Sequence, residues 1–321
     1  MAHKMMQFAQ PTAGDVHIDV ALSNISTGYK NTGYIADRVF PLVRSDKQSN
    51  KYFTWTKDFW FRNYVQKRTP GDIYPEGGLE LSSDSFFCDI FHLAFPLTDE
   101  ETANQDEAVE LETTGSEWLA DQFMLNREAK IVADFFKTGV WANETTLAGT
   151  DQWSDFANSN PENDILTGRQ TIQKATAQKV SQLVMGVEVR DQLAQHPLLL
   201  EKFKYTSVAI LSDSQIAQAL GVPSLLVGEA VDNSAVEGAT FVGEYMWGKN
   251  AMLIHVPTSP GRRTPSAGYT FWWDANGQQM MVPISRIRED NRDRDLLKAK
   301  HAFDQKAVGT DLGYIILAAV A

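Results

Sequence analysis

The chain has 321 residues, is 43% hydrophobic and 22% charged, and carries a formal net charge of −12, which excludes a disordered chain and leaves room for two modest domains or one large one. A single cysteine, Cys88, excludes an internal disulfide framework or a zinc ribbon and favours synthesis in a reducing cytoplasm. No apolar run reaches the ~18 residues a membrane span needs, the first residues lack the apolar core of a signal peptide, and the negative charge opposes binding to nucleic acid through the overall field.

Residues 1 to about 45 read as an arm rather than a domain. They hold few large apolar residues before Tyr34, Ile35, Val39 and Phe40, and such an arm is ordered only when it lies on something else. Residues 46–96 read as a long two-stranded excursion. Lys51–Lys57 and Phe59–Val65 carry strand formers, 69–78 form a turn-rich tip, and Ser82–Phe95 returns with six apolar side chains. A lone two-stranded ribbon is marginal in water, so these aromatics, Trp55 and Trp60 among them, require another surface.

Charge divides unevenly here. From Arg44 to Pro70 seven basic residues, including Arg62, Lys67 and Arg68, face two acids, for a local charge of +5. From Asp99 to Glu112 seven acids, including Glu100, Glu101, Asp106 and Glu107, face no base, for −7. Solvated faces are one explanation. Complementary patches that steer identical subunits together are the other.

The next stretch, 115–137, predicts one long helix of roughly 35 Å. Thr114 and Glu117 suit a capping box, and Gly139 suits its end. Wound at the helical period, it shows two apolar stripes. Trp118, Leu125, Ala129, Val132 and Phe136 form one. Ala120, Met124, Ile131 and Phe135 form the other. Asp121 and Glu128 fall between them, and Asn126, Arg127, Lys130 and Asp134 make the wet side. A helix apolar on two sides packs against two different things.

A polar segment follows, anchored by Trp141 and Trp153. Helix and strand then alternate. Helices are predicted over 164–179, over 187–204 with a break near Pro197, and over 213–220 between a capping Ser212 and Gly221. Short strands are predicted at 180–185, 207–211, 224–227 and 252–256. The pattern is that of a compact α/β unit. Residues 268–310 return to extended structure. Residues 311–320 form an almost wholly apolar last strand suited to the centre of a covered sheet. One module is inserted in another.

No catalytic motif is found: no phosphate-binding loop, nucleophile elbow, zinc-protease pair or dinucleotide fingerprint. The six histidines stand at no ligand spacing. Cys88, in an apolar strand, reads as a small hydrophobe. The run 289–295 lacks the glycine and the final glutamate of a calcium loop. No catalytic residue, cofactor site or metal site is assigned.

Several segments, in this order, resemble the major capsid proteins of tailed bacteriophages with the Hong Kong 97 type fold. They are YIADRVFP (34–41), KQSNKY (47–52), LVMGVEVRDQL (183–193), HPLLLEKFKY (196–205), LVGEAVDNSA (226–235), MWGKNAMLIHVP (246–257), GYTFWW (268–273) and DLGYIILAAV (311–320). The resemblance implies an α+β fold with a defined anatomy. Its parts are an N-terminal arm (1–45), an extended loop over the neighbouring subunit (46–96), a peripheral domain with a spine helix (97–163), an axial domain (164–260), return strands of the peripheral domain (261–310) and a final axial strand (311–321).

The resemblance also implies a function. The chain is expected to be a structural protein of the virion that self-assembles as pentamers and hexamers into an icosahedral head around double-stranded DNA, without catalysis and without a membrane. Scaffolding, portal and decoration proteins would be separate partners. Arg62, Lys67, Arg68, Trp55 and Trp60 are expected to meet Asp99, Glu100, Glu101, Asp106 and Glu107 of a neighbour, and Trp118, Met124, Leu125, Val132 and Phe136 to pack the spine. Lys47, Lys51, Lys57 and Lys67 lie in the loop, but no motif marks a partner asparagine, so no covalent crosslinking is expected. A nanocompartment shell of the same fold, and a soluble enzyme with an unrecognised site, stand as alternatives.

Overall fold

The computed structural model describes residues 31, 33–71, 73–74, 76–104, 110–203, 210–259, 261, 264–274 and 282–321. Most of the arm, Asp106, Glu107 and much of the strand expected at 207–211 lie outside these residues.

In chain order the elements are α1 (Ala36–Val39), β1 (Leu42–Ser45), β2 (Ser49–Trp55), α2 (Lys57–Trp60), β3 (Leu81–Phe87), β4 (Asp89–Thr98), α3 (Asp99–Asn104) and α4 (Leu111–Phe135). Then come β5 (Asn143–Thr146), α5 (Pro161–Thr176), β6 (Gln182–Gly186), α6 (Val187–Gln195), α7 (Pro197–Glu201), α8 (Asp213–Leu220), β7 (Leu225–Gly228) and β8 (Val231–Asn233). The chain closes with β9 (Gly243–Tyr245), β10 (Ala251–Ile254), β11 (Gly268–Trp273), β12 (Ile284–Glu289), β13 (Arg294–Ala307) and β14 (Gly313–Leu317). They form two compact units, one holding His92–Gln122 and Val282–Lys300, the other Asn31–Phe91, Phe123–Met281 and His301–Ala321.

The larger unit is built on a sheet ordered β5-β14-β10-β6-β7. The final strand is interior, paired parallel to β5 and antiparallel to β10. Alternation along the strands sends side chains to two cores. Leu183, Met185, Leu253, Tyr314 and Ile316 join one cluster with Ile165 and Ile172 of α5, Val189 and Leu193 of α6, and Ile216 and Leu220 of α8. Val184, Met252, Ile254 and Ile315 join the other with Phe40, Ile131, Phe135 and Phe136. A sheet covered on both faces explains why β14 and β10 read as unbroken apolar runs.

Local chemistry sets the helix ends. Asn160 accepts from Asn163 N at 3.1 Å, with Pro161 at the first position of α5. Ser212 and Gln215 complete a capping box on α8, and Gly221 ends it at φ 66°. Gly228 has no room for a side chain: a Cβ there would lie 2.0 Å from Cδ1 of Trp247.

Elsewhere in this unit β1 runs parallel to β11, and β11 pairs antiparallel with the second half of β13. Phe86, Cys88, Tyr269 and Phe271 form a small third core. Cys88 is fully buried, with its sulfur 3.6 Å from the Phe271 carbonyl oxygen, and burial pushes the thiol up to about 12. In the smaller unit β12 pairs antiparallel with the first half of β13.

Three expectations are corrected. The long helix α4 starts at Leu111, and Thr114 sits inside it, donating its N–H to the Glu110 carbonyl at 2.8 Å, so the box at 114–117 does not form. Its buried positions include Gly115, Leu119, Phe123, Arg127, Glu128, Ile131 and Phe135, and Phe136 just past its end is buried too. That is chiefly one stripe at four-residue spacing. Trp118 and Met124 are 42% and 41% exposed, Leu125 and Val132 are half-buried, and Arg127, expected on the wet side, is buried. Finally, Phe59–Val65 is not a strand. The segment after β2 turns into the short α2, and the partner of β2 is β3, from Ser49↔Phe87 to Trp55↔Leu81.

Candidate assembly surface

The excursion is rooted firmly and ends exposed. At its root Phe86 stacks on Phe271 with centroids 4.2 Å apart, and Tyr52 stacks on the same ring at 5.8 Å. Tyr52 donates its hydroxyl proton to Asp84 Oδ2 across the hairpin at 2.8 Å. Burial, with Asp84 beside it, holds the phenol well above its ordinary value. The backbone N–H of Phe87 donates to Asp304 at 3.0 Å. Lys57 forms an ion pair with Asp311.

Beyond this root the apolar side chains stand in water. Phe53, Phe61 and Tyr74 are exposed, and Val65 and Ile73 are 85% and 93% exposed. Arg62 and Lys67 are exposed beside them. Arg68 lies over the Tyr74 ring at 4.9 Å and donates to its hydroxyl at 2.9 Å. Trp60 is 54% exposed, and the backbone of Trp55 is held in β2. An apolar surface of this extent, rimmed by cations, is the mark of an interaction site.

The acids of 99–112 are engaged differently. In the smaller unit Asp99 takes a two-pronged bond from Arg288, at 2.5 and 2.6 Å. That guanidinium holds the Asp99 carboxyl below the usual range. Glu112 accepts from Arg286 at 2.9 Å, and Arg286 also pairs with Asp295. Glu101 accepts from Thr98 Oγ1 at 2.8 Å and so opens α3. Glu100 is exposed. The run 289–295 is thus part of an ion-pair network. The basic partners of Asp99 and Glu112 come from a segment nearly two hundred residues away in sequence, which local spacing cannot reveal.

A buried polar centre holds the larger unit together. Glu128 has no exposure, and its carboxylate accepts from Ile35 N at 3.1 Å, Ala36 N at 2.8 Å and Trp247 Nε1 at 2.6 Å. Burial raises its pKa, and these hydrogen bonds oppose the rise. Next to it Arg127 pairs with Asp37 at 3.1 Å. His301 is buried with its ring stacked on Phe303 at 4.7 Å, and burial, reinforced by Arg127, drives its pKa down to about 3. The arm, the long helix and the turn before β10 therefore meet at one carboxylate.

Among the described residues no group of three His, Cys, Asp or Glu side chains gathers to hold a metal, and no helix is long and apolar enough to cross a membrane. Of the buried titratable groups, Glu128 is hydrogen-bonded and Arg127 is paired with Asp37, whereas both ring nitrogens of His301 lack a hydrogen-bond partner among the described residues.

No protein-family model matches the chain. The major capsid protein of Burkholderia phage BcepMu is 27% identical over 311 residues, covering 93% of this chain and 95% of its own. The major capsid protein of Pseudomonas phage JBD67 is 25% identical over 315 residues, covering 95% and 97%. Among solved structures, a phage-related protein from Bordetella bronchiseptica superposes with a TM-score of 0.70 at 21% identity, over 94% of this chain and 97% of that one. The capsid of cyanophage P-SCSP1u gives 0.60 at 9% identity, over 98% and 96%. An encapsulin complex from Synechococcus elongatus gives 0.54 at 8%, over 94% and 95%. From near full-length likeness in sequence and in fold, the chain is a homologue of the phage major capsid proteins and has the Hong Kong 97-like, α+β capsid fold.

Proposed function

We propose that this chain is the structural shell subunit of a phage head. It self-assembles as pentamers and hexamers into an icosahedral container around double-stranded DNA, and it carries out no catalysis. The observation that carries the reading is the excursion at 53–81. Its root is packed on its own chain, while its aromatic and basic outer part is left uncovered. A subunit built to cover its neighbour has this form. The net charge of −12 suits a wall that must not trap the DNA it holds.

The division into arm, extended loop, peripheral and axial parts, with the boundaries given above, belongs to the same reading. So do separate scaffolding, portal and decoration proteins and residence in the virion. An encapsulin shares the fold, but both sequence relatives that span the chain are phage major capsid proteins, which favours the phage head.

Negative-stain electron microscopy of the size-fractionated protein tests the proposal. Closed shells, capsomers or tubes are expected. A uniform monomer that persists when the neighbouring phage genes are co-expressed would overturn it. Nucleic acid inside shells from infected cells would separate a phage head from a nanocompartment.

A further inference from the structure

We propose that the β8–β9 hairpin, residues 229–245, is the acceptor on a second copy of this chain for the basic, aromatic segment 56–80. The inference rests on the shell reading and assigns it a specific contact. Of the acids expected to receive the basic segment, Asp99 is already bonded to Arg288 of its own chain, and Glu112 of the same acidic run is bonded to Arg286. A different surface has the complementary charge still to spare. From Glu229 to Tyr245 there are four acids, Glu229, Asp232, Glu237 and Glu244, and no base. Glu229 lies 3.9 Å from Arg190. Asp232, Glu237 and Glu244 are exposed and have no basic partner among the described residues.

The same hairpin exposes apolar side chains that its own chain does not cover. Val236 is 79% exposed and Phe241 67%, with Val242 beside them. The segment 56–80 mirrors this: exposed Phe61, Val65 and Ile73 lie among the cations Arg62, Lys67 and Arg68. Apolar centres with opposite charges around them are what a specific interface requires. No ion pair among the described residues joins the two segments within one chain, so the complement is available to another copy.

The acceptor is also pre-formed, which lowers the entropic cost of docking. Asn233 Oδ1 accepts from Ala235 N at 3.2 Å and Val242 N at 3.0 Å, which shapes the tip. Asn31 brackets Val231, donating to its carbonyl at 3.0 Å and accepting from its N–H at 3.3 Å. At the foot Met246 N donates to the Ala230 carbonyl at 3.0 Å, and Trp247 is buried.

A charge swap tests the pairing. One variant carries Asp232→Lys, Glu237→Lys and Glu244→Lys. A second carries Arg62→Glu, Lys67→Glu and Arg68→Glu. A third carries all six. Every position is exposed, and folding is checked by circular dichroism and thermal unfolding. Shells and capsomers are counted by electron microscopy and sedimentation velocity. Each triple variant should lower the assembled fraction at least tenfold, and the six-residue swap should restore it. The proposal is overturned if the acid reversal assembles normally, or if the swap fails to restore what both folded triples lose. If the base reversal alone blocks assembly, the segment docks elsewhere, and the shell reading stands without this contact. If the wild-type chain assembles under no condition, co-expression included, the shell reading falls and the proposal with it.

Discussion

The indole N–H of Trp247 donates to Glu128 at 2.6 Å, joining residues 119 apart in sequence. The same carboxylate holds the N–H groups of Ile35 and Ala36. Three segments that could pack in several registers are thereby tied at one point. A buried carboxylate with three donors is an expensive device, since burying the charge opposes folding. Its benefit is directional, because apolar packing alone would not distinguish neighbouring registers.

Removing that acceptor should be costly. Glu128→Ala leaves three buried N–H donors without a partner and is expected to destabilise the unassembled subunit by about 3–5 kcal/mol. Glu128→Gln keeps the shape but turns an NH2 group toward a donor, for about 1–3 kcal/mol. Urea unfolding measures both. A loss below about 1 kcal/mol for the alanine variant would mean that water or relaxation replaces the acceptor.

Gly228 should be intolerant for a related reason. A Cβ placed there meets the Trp247 ring at 2.0 Å, so Gly228→Ala must push the indole away from Glu128. About 1–3 kcal/mol of overpacking strain is expected, with a change in tryptophan fluorescence. A variant as stable as the parent, with an unchanged spectrum, would show that the ring has room to move.

The long helix supplies a contrast. Leu119 is fully buried, whereas the adjacent Trp118 is 42% exposed and touches Phe95 at a centroid distance of 5.8 Å. Leu119→Ala is expected to cost about 2–5 kcal/mol, and Trp118→Ala about 1 kcal/mol. Equal losses in the isolated subunit would contradict this assignment of faces.

His301 gives a pH dependence of defined sign. Its pKa falls from 6.5 to about 3 on burial. Between those values the unfolded chain binds the proton and the folded chain does not. Stability is therefore fully present above pH 6.5 and is lost as pH falls toward 3, by at most about 1.4 kcal/mol per pH unit from this group. His301→Phe should flatten the stability profile in that window by up to one proton. An unchanged slope would mean that the imidazole is charged when folded or that its surroundings relax.

Much of this architecture is legible in the chain because it is local. Ser212, Gln215 and Gly221 announce α8 by cap chemistry. The apolar run of 311–320 announces a strand covered on both faces, and Pro197 marks the break between α6 and α7. What could not be read is long-range. Arg127 looks like a surface charge, and Glu128 like a carboxylate between two apolar stripes with no partner, until Asp37, Ile35 and Trp247 arrive from elsewhere in the chain. Asp99 looks available to a neighbour until Arg288 is brought to it. Phe59–Val65 has strand formers but no strand partner, and β-propensity expresses packing more than backbone preference. The apolar positions of α4 leave several windings open, and tertiary packing chose a single four-residue stripe that leaves Trp118 and Met124 in water. At the candidate surface the basic, aromatic character of the loop is legible in the sequence, whereas the acidic hairpin 229–245 gives no such local signal, because its four acids are spread over seventeen residues rather than gathered in a run.

The chain's single thiol is closed to solvent. Cys88 is fully buried, and its pKa is pushed up to about 12, which leaves almost no thiolate near neutrality. The wild-type subunit is thus, for the purpose of labelling, a protein without cysteine. A cysteine introduced at any exposed position would carry the only reactive sulfur in the folded chain. A dye, a gold cluster or a cargo attached there would then repeat once per subunit across whatever the subunits build, with no background from the native residue.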